Sequence, residues 1–307
     1  MEQYDLIILG GGPAGITAGI YASRKKLKTL LITKEFLGQV GLSWRIENYP
    51  GFPKINGRDL LKLFHNHLVQ NEITIQNYEE AIKIEKLNTG FKLKTKEKEY
   101  NSLAIIIATG AELKKLNIKN EDRFIGKGIS YCLTCDEKAF ENKKVAVIGG
   151  GNTGAEAAIS LLKFASEIYL LEYLDHLTCD EVLKEEIESQ SRIQVVTNAE
   201  TLSFEGNEEL KKIVYQERKT RKIHEIETDG CFIQIGVMPN TEFVKGLIDL
   251  NKKGEIISNL KTMETSHKGI FVAGDVCDFP FKQIIVAASQ GASAALSTYS
   301  YIKELNN

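Results

Sequence analysis

Little in the 307 residues points to an exported or membrane protein. There are five cysteines, five prolines, three methionines and one tryptophan. Cysteines this sparse do not make a secreted disulfide framework, so a reducing cytoplasm is expected, where a persistent structural disulfide would be out of place. No apolar run approaches the roughly 18 residues of a membrane helix. The opening MEQYDLIILGGG lacks the basic stretch, long apolar core and cleavage site of a signal peptide. Lysine plus arginine (39) and aspartate plus glutamate (41) nearly cancel, leaving a formal charge of −2. That excludes an electrostatic case for nucleic acid or an anionic membrane as partner. What is present, 43% hydrophobic and 26% charged residues, suits a soluble globular protein, and the length suggests about two domains.

The apolar run Tyr4–Leu9 reads as a strand buried on both faces of a parallel sheet. Gly10-Gly11-Gly12-Pro13-Ala14-Gly15 follows, then a helical stretch rich in small residues, ITAGIYASRKK. This is G-x-G-x-x-G between strand and helix. Gly10 permits the tight turn, Gly12 lets the backbone approach a pyrophosphate, and Gly15 lets helix and strand pack closely. The helix start offers unpaired N–H groups to phosphates. The same grammar recurs: strand Lys144–Ile148, turn Gly149-Gly150-Gly151-Asn152-Thr153-Gly154, helix AEAAISLLKFA. One such turn is weak evidence; two complete copies predict two dinucleotide sites.

The second copy runs on into strand Glu167–Leu171, which ends at Glu172. A carboxylate there hydrogen-bonds the adenosine ribose 2′-hydroxyl and repels a 2′-phosphate. Neither Tyr173 nor Leu174 offers a cation, so NADH is favoured over NADPH. The first copy's second strand, Thr29–Ile32, has no acid at its immediate end; Glu35 is the nearest candidate for a ribose. Two further strands break near a ligand: Ile105–Ala108 at Thr109-Gly110, and Gly269–Ala273 at Gly274-Asp275. A carboxylate at such a strand end can bind a sugar-like hydroxyl. In YCLTCDEKAF, Cys132 and Cys135 stand three apart and Asp136 follows. The pair could be half a metal site, a structural disulfide or a redox couple. Cys179, Cys231 and Cys277 are scattered, and no second ligand pair accompanies them.

Taken in order, the glycine turn at 10–15, Gly38-Gln39, IENYPGFP at 46–53, ATGA at 108–111, the Cys-x-x-Cys-Asp at 132–136, GGGNTG at 149–154, GD at 274–275 and KQIIVAASQGASAAL at 282–296 form one pattern. The chain resembles the low-molecular-weight thioredoxin reductases over essentially its whole length. Segments 167–184 and 230–300 are most similar to the flavoprotein component of alkyl hydroperoxide reductase. That protein carries an additional N-terminal thioredoxin-like region; this chain begins at the first glycine turn, so its disulfide partner is expected to be a separate chain.

The resemblance implies an α/β protein of two Rossmann-like domains of the three-layer ββα type, the second inserted into the first. An FAD domain would comprise 1–112 and 244–307, and an NAD(P)H domain carrying the redox pair 113–243, in a homodimer. Gly10, Gly12, Pro13, Ala14, Gly15, Glu35, Gly38, Gln39, Asn48, Thr109, Gly110, Gly274, Asp275, Lys282, Gln283 and Ile284 are expected around the flavin. Gly149, Gly151, Asn152, Thr153, Gly154 and Glu172 are expected around the nicotinamide cofactor. The helix opening near Gln283 would aim its N-terminus at the flavin edge that becomes negative on reduction. Its small residues Ala287, Ala288, Ser289, Gly291, Ala292 and Ser293 would let it pack closely. Trp44 is expected to pack in the FAD-domain segment leading into IENYPG. NADPH-dependent members of the family have a basic cluster where this chain has Glu172, Tyr173, Leu174 and Thr178, which again favours NADH.

Beside a flavin and a nicotinamide, Cys132 and Cys135 have an electron source, and the redox reading follows. The resemblance implies that Cys135 faces the flavin, that Cys132 attacks the disulfide of a thioredoxin-like protein, and that Asp136 serves as general acid or base. Asp136 can equally cap the helical stretch EKAF. The implied domain rotation would hinge near 112–118 and 240–246. A glutaredoxin-like or peroxiredoxin-system partner, a ferredoxin-fed variant and a non-catalytic nucleotide-binding module are the competing readings. The intact second glycine turn opposes the ferredoxin variant, and the intact redox pair opposes the binding module. The five histidines, His65, His67, His176, His224 and His267, show no catalytic arrangement and read as surface or packing residues.

Overall fold

The computed structural model describes residues 3–36, 38–43 and 46–305; Trp44 lies outside the described residues. The chain separates into two compact units, one of residues 1–41, 56–112 and 238–307, the other of 42–55 and 113–237. Segment 42–55, placed with the first domain by resemblance, groups with the second unit; its Ile46 is fully buried and bridges Ile55.

The first unit opens with β1 (Gln3–Leu9), α1 (Pro13–Arg24) and β2 (Thr29–Thr33). It continues with α2 (Gly57–Val69), β3 (Thr74–Asn77), the hairpin β4 (Ala81–Lys86) and β5 (Phe91–Thr95), and β6 (Glu99–Ile107). Strands β1, β2, β3 and β6 are parallel, with β1 between β2 and β6. That central position explains why Leu6–Leu9 and Ala104–Ile107 are continuous apolar runs with almost no exposure. Their side chains alternate between two cores. Leu6, Ile8, Ala104 and Ile106 face the helices, and Ile7, Leu9, Ile105 and Ile107 join the core that includes Phe91 and Leu93 of β5. Each fully buried leucine or isoleucine contributes roughly 1.5–3 kcal/mol.

The chain leaves this unit through β7 (Ala111–Leu113). In the second unit follow α3 (Glu121–Phe124), β8 (Ile129–Ser130), α4 (Leu133–Asp136), β9 (Lys144–Ile148), α5 (Asn152–Leu161), β10 (Glu167–Leu171), α6 (Glu181–Glu188) and β11 (Ile193–Val196). A three-stranded antiparallel sheet of β12 (Ala199–Gly206), β13 (Leu210–Glu217) and β14 (Ile223–Glu227) precedes β15 (Gly230–Ile233). The parallel sheet runs β11-β10-β9-β15-β8. Parallel sheet, small antiparallel sheet and helices make the unit the same kind of fold as its host.

The chain returns through β16 (Val237–Pro239), which pairs with β7. Then β17 (Ile270–Val272) adds in parallel to the last residues of β6, whose first residues pair with β5. The chain ends in α7 (Ile284–Leu305). Of the small residues expected to let α7 pack, Ala287, Ala288 and Gly291 are buried, whereas Ser289 is exposed. A Cβ on Gly291 would lie 2.1 Å from the Ala14 carbonyl oxygen of α1. Gly291→Ala should therefore force the helices apart and destabilise the protein by about 1–3 kcal/mol. A thermal or urea unfolding midpoint equal to the wild type would show that the helices separate without cost.

Candidate active site

The two glycine turns are built alike. Gly10 and Gly149 both have φ +117°, a region that disfavours any side chain, and a Cβ at either would strike a backbone oxygen, Ala108 at 2.1 Å or Gln234 at 2.5 Å. A Cβ at Gly15 would sit 1.9 Å from the Gly10 oxygen, and one at Gly154 would sit 1.7 Å from the Gly149 oxygen. The middle glycines differ in kind: among the described residues no atom lies within 4 Å of a Cβ built on Gly12, and only Thr178 Oγ1, at 3.7 Å, approaches one on Gly151. Both turns thus present open space over a backbone, beside the N-termini of α1 and α5. The residues present fit a dinucleotide pyrophosphate at each.

Around the first turn, Pro13 and Ala14 begin α1, with Ala14 buried. Gln39 Nε2 donates to the Ala111 carbonyl at 2.5 Å. Thr109 Oγ1 donates to the Asn240 carbonyl at 2.9 Å, and Asn240 Nδ2 returns a bond to the Thr109 carbonyl at 3.0 Å. This clasp fixes the turn at Gly110, whose φ is +65°. Gly274 N–H donates to Gln290 Oε1 of α7 at 2.9 Å. Burial pushes the Asp275 carboxyl up, with the Lys282 ammonium opposing. Lys282 Nζ is tied to the carbonyls of Asp275 and Cys277 and to Glu255 at 2.9 Å, so it acts as a staple of the loop entering α7. Gln283 and Ile284 stand at the start of α7, where Ala287 N–H donates to the Gln283 carbonyl. Gly38 and Glu35 are exposed, and Asn48 is exposed within segment 42–55.

In the second unit Glu172 is 8% exposed. Its Oε2 accepts from Gly150 N–H at 2.5 Å and its Oε1 from Leu174 N–H at 2.8 Å. The carboxylate is thereby locked against the glycine turn, with lone pairs left for further donors. Asn152 and Asp180 exchange two hydrogen bonds of 2.9 Å, joining α5 to the start of α6; Thr153 is exposed. A cation stands nearer than the sequence suggests. Arg218, at the end of the β13 strand, lies 3.8 Å over the Tyr173 ring and donates to the Tyr173 carbonyl at 3.0 Å.

Cys132 and Cys135 form a disulfide with Cα atoms 5.3 Å apart, and Cys132 is partly exposed. Asp136, 5% exposed, ends α4. It makes no cap for the 3₁₀ turn Glu137–Phe140 that follows, so the capping alternative does not hold. Its Oδ2 instead accepts from Ser130 Oγ at 2.6 Å, while Oδ1 is buried without a protein partner among the described residues. Burial lifts the carboxyl to about 6, with the Ser130 bond pulling the other way. Preceding the pair, Tyr131 donates through its hydroxyl to Glu121 at 2.6 Å, and its carbonyl accepts from Gln234 Nε2 at 3.1 Å. Glu121, 2% exposed, also accepts from the N–H groups of Leu116, Asn117 and Ile118. Ser130, Glu121, Gln234, Asn240 and Arg218 escape sequence reasoning because each meets its partner through the fold, with no motif to mark it.

Cys179, Cys231 and Cys277 are free and buried, and among the described residues no group of three or more His, Cys, Asp or Glu side chains could hold a metal. Three histidines pack on aromatic rings: His65 on Phe36, His224 on Tyr215 and His267 on Phe91. Among the described residues no helix is long and apolar enough to cross a membrane.

Two dinucleotide-sized cradles in one chain, with a disulfide and a buried acid beside the second turn's sheet, make up the site. Comparison with known proteins agrees: residues 4–291 match the model of the pyridine nucleotide-disulphide oxidoreductases, and the chain belongs to that family. The chain is 39% identical to the F component of alkyl hydroperoxide reductase from Staphylococcus aureus strain Mu50 and 38% to a protein named NADH dehydrogenase from Bacillus subtilis strain 168. Each alignment covers 98% of this chain and 59% of the relative, so the chain spans about three fifths of the length of these proteins. Thioredoxin reductase from Streptococcus pyogenes matches in structure with a TM-score of 0.94 and 30% identity, over 98% of this chain and 99% of that one.

The raised Asp136 carboxyl has a consequence for stability. Its folded value of about 6 lies above the ~3.9 of an unfolded aspartate, so folding favours the protonated form. That contribution is complete below about pH 4 and is lost as pH rises towards 6. Asp136→Asn, which keeps an acceptor for Ser130, should match the wild type near pH 4 and exceed it by roughly 1–3 kcal/mol at pH 8. Urea unfolding at both pH values checks this; equal stability at pH 8 would place the carboxyl in contact with water.

Proposed function

We propose that the protein is an FAD-containing, NADH-dependent reductase of a thioredoxin-like protein disulfide. The observation that carries this reading is the Cys132–Cys135 disulfide, followed by a buried acid, in the unit whose dinucleotide cradle ends in Glu172. Gly10, Gly12 and Gly15, with Asp275 and the start of α7, hold the FAD; Gly149, Gly151, Gly154 and Glu172 hold the NADH. Bound FAD supplies two-electron transfer between nicotinamide and disulfide. Overall, NADH, a proton and the partner disulfide become NAD⁺ and the partner dithiol.

The reduced cysteines do the rest. Cys132 as thiolate attacks one partner sulfur, breaking the partner S–S bond and forming a mixed disulfide. The departing partner thiolate takes a proton from the Asp136 carboxyl. The Cys135 thiol then gives its proton to the Asp136 carboxylate and attacks Cys132 Sγ, which restores the Cys132–Cys135 disulfide and releases the second partner thiolate, and that thiolate takes the same proton back from Asp136. Partial exposure of Cys132 supports access by a protein, and an acid lifted to about 6 is suited to give up a proton near neutral pH. The net transfer runs downhill from nicotinamide, and for two electrons about 30 mV is worth about 1.4 kcal/mol. The names of the alkyl hydroperoxide reductase relatives favour a second partner, a protein of a peroxiredoxin system. A homodimer in a reducing cytoplasm completes the reading, on the resemblance and the sparse cysteines.

Cys132→Ser and Cys135→Ser should each abolish NADH-dependent reduction of oxidised thioredoxin and leave flavin bleaching by NADH intact. Normal thioredoxin turnover in either variant would refute the redox assignment, and turnover with a peroxiredoxin-system protein alone would select the second partner.

Glu172 should give NADH at least a roughly tenfold advantage over NADPH in kcat/KM, about 1.4 kcal/mol. Glu172→Ala should narrow that advantage by weakening NADH more than NADPH. Steady-state kinetics with both cofactors decide it. Equal use of NADPH by the wild type would mean that Arg218 leaves Tyr173 and takes the phosphate.

A further inference from the structure

Ser130 is the hub of the redox turn, although the disulfide-exchange steps give it no part. It is 6% exposed, on the last residue of β8. Its Oγ donates to Asp136 Oδ2 at 2.6 Å and accepts from the Cys132 N–H at 3.1 Å, while the Cys132 carbonyl lies at 3.3 Å as a longer alternative acceptor. A hydroxyl has one proton, and the closer carboxyl oxygen takes it. Both carboxyl oxygens are thereby given different work. Oδ2 is an acceptor from Ser130, and the buried Oδ1, without a protein partner among the described residues, is the oxygen left to carry a proton.

We propose that Ser130 is a positioning residue for disulfide exchange: through one hydroxyl it orients the Asp136 carboxyl so that Oδ1 bears the transferable proton, and it ties that acid to the backbone of Cys132. The proposal rests on the disulfide-reductase reading. It gives the short α4 a purpose, since Cys132 opens the helix, Asp136 closes it, and the two ends are held from outside by one side chain. Of the other titratable groups on neighbouring elements, Glu137 and Tyr131 have their own partners. Glu137 accepts from Ser160 Oγ at 3.0 Å, the Tyr131 hydroxyl goes to Glu121, Lys138 is exposed, and the Cys231 thiol is buried in β15. Burial raises the carboxyl and the Ser130 hydroxyl lowers it.

The test is an infrared titration of the protonated carboxyl of Asp136 in the oxidised holoenzyme, with Asp136→Asn to assign the band. Ser130→Ala removes a bond that favours the ionised form and should raise the midpoint by roughly one pH unit. Ser130→Thr, which keeps the hydroxyl, should leave it near the wild type. In single-turnover transfer from NADH-reduced enzyme to oxidised thioredoxin, the alkaline limb should move up by the same amount in Ser130→Ala and return in Ser130→Thr. A merely structural role would lower the amplitude and leave the midpoint still. If Ser130→Ala does not fold, the isosteric pair Ser130→Thr and Ser130→Val isolates the hydroxyl in the same measurement. An unmoved midpoint in the variant lacking the hydroxyl overturns the proposal. Failure of the disulfide-reductase reading shows separately, as a wild type that reduces its flavin and leaves thioredoxin oxidised, because the infrared midpoint is read without turnover.

Discussion

Everything in this structure depends on how closely a helix start can approach the strand before it. At both turns the oxygen of the first glycine lies under 2 Å from where a Cβ of the last would be, so the contact exists only between backbones. That contact draws the N-termini of α1 and α5 over the ends of β1 and β9 and leaves their first N–H groups facing open space beside Gly12 and Gly151. Parallel sheets follow from it, because a helix packed that way returns the chain to the same end of the sheet. Built twice in one chain, the geometry offers two electron-carrying cofactors a seat each, which a disulfide on the second unit can use.

Three buried carboxylates in the second unit meet the cost of leaving water in three ways. Glu121 gathers three backbone N–H groups and the Tyr131 hydroxyl, and Glu172 takes two N–H groups. In both, each carboxyl oxygen accepts at least one hydrogen bond. Asp136 has one hydroxyl and an oxygen without a described partner, and burial lifts it towards neutrality. Where burial is not offset by donors to both oxygens, a carboxyl keeps its proton to higher pH.

Features carried by local pattern were legible in the sequence. The strands at 4–9, 144–148 and 167–171, both glycine turns, the acid closing β10 and the cysteine pair all lie within short windows, where burial on two faces or a demand for glycine leaves few alternatives. The helix ends were less so: AEAAISLLKFA suggests a helix to 165, whereas α5 stops at Leu161 and the chain turns. Long-range partners were not legible. Arg218 reaches Tyr173 across 45 residues and Asn240 reaches Thr109 across 131, and neither contact leaves a trace in spacing. Lys282 has contacts that its motif does not show. Its place in a motif suggests the cofactor, and its ammonium is tied to its own loop and to Glu255. Asp136 was legible as an acid beside cysteines, and its choice of Ser130 over the helix end was not, because that choice depends on where β8 delivers the serine.

Gln234 joins the two chemistries of the second unit. Its carbonyl fills the space that a side chain at Gly149 would need, and its side-chain amide holds the carbonyl of Tyr131, one residue before the disulfide. The residue that shapes the second glycine turn is therefore the residue that anchors the turn carrying the disulfide. Strands β9, β15 and β8 are adjacent in one parallel sheet, so the turn at Gly149 and the turn at Cys132 leave the same edge of it. Parallel strands place their following loops at one end, which is where open α/β sheets bind ligands. A disulfide installed there needs no element of its own: it occupies the loop after β8 as the cofactor cradle occupies the loop after β9. The inserted unit thus carries the second glycine turn and the disulfide at one end of a single sheet.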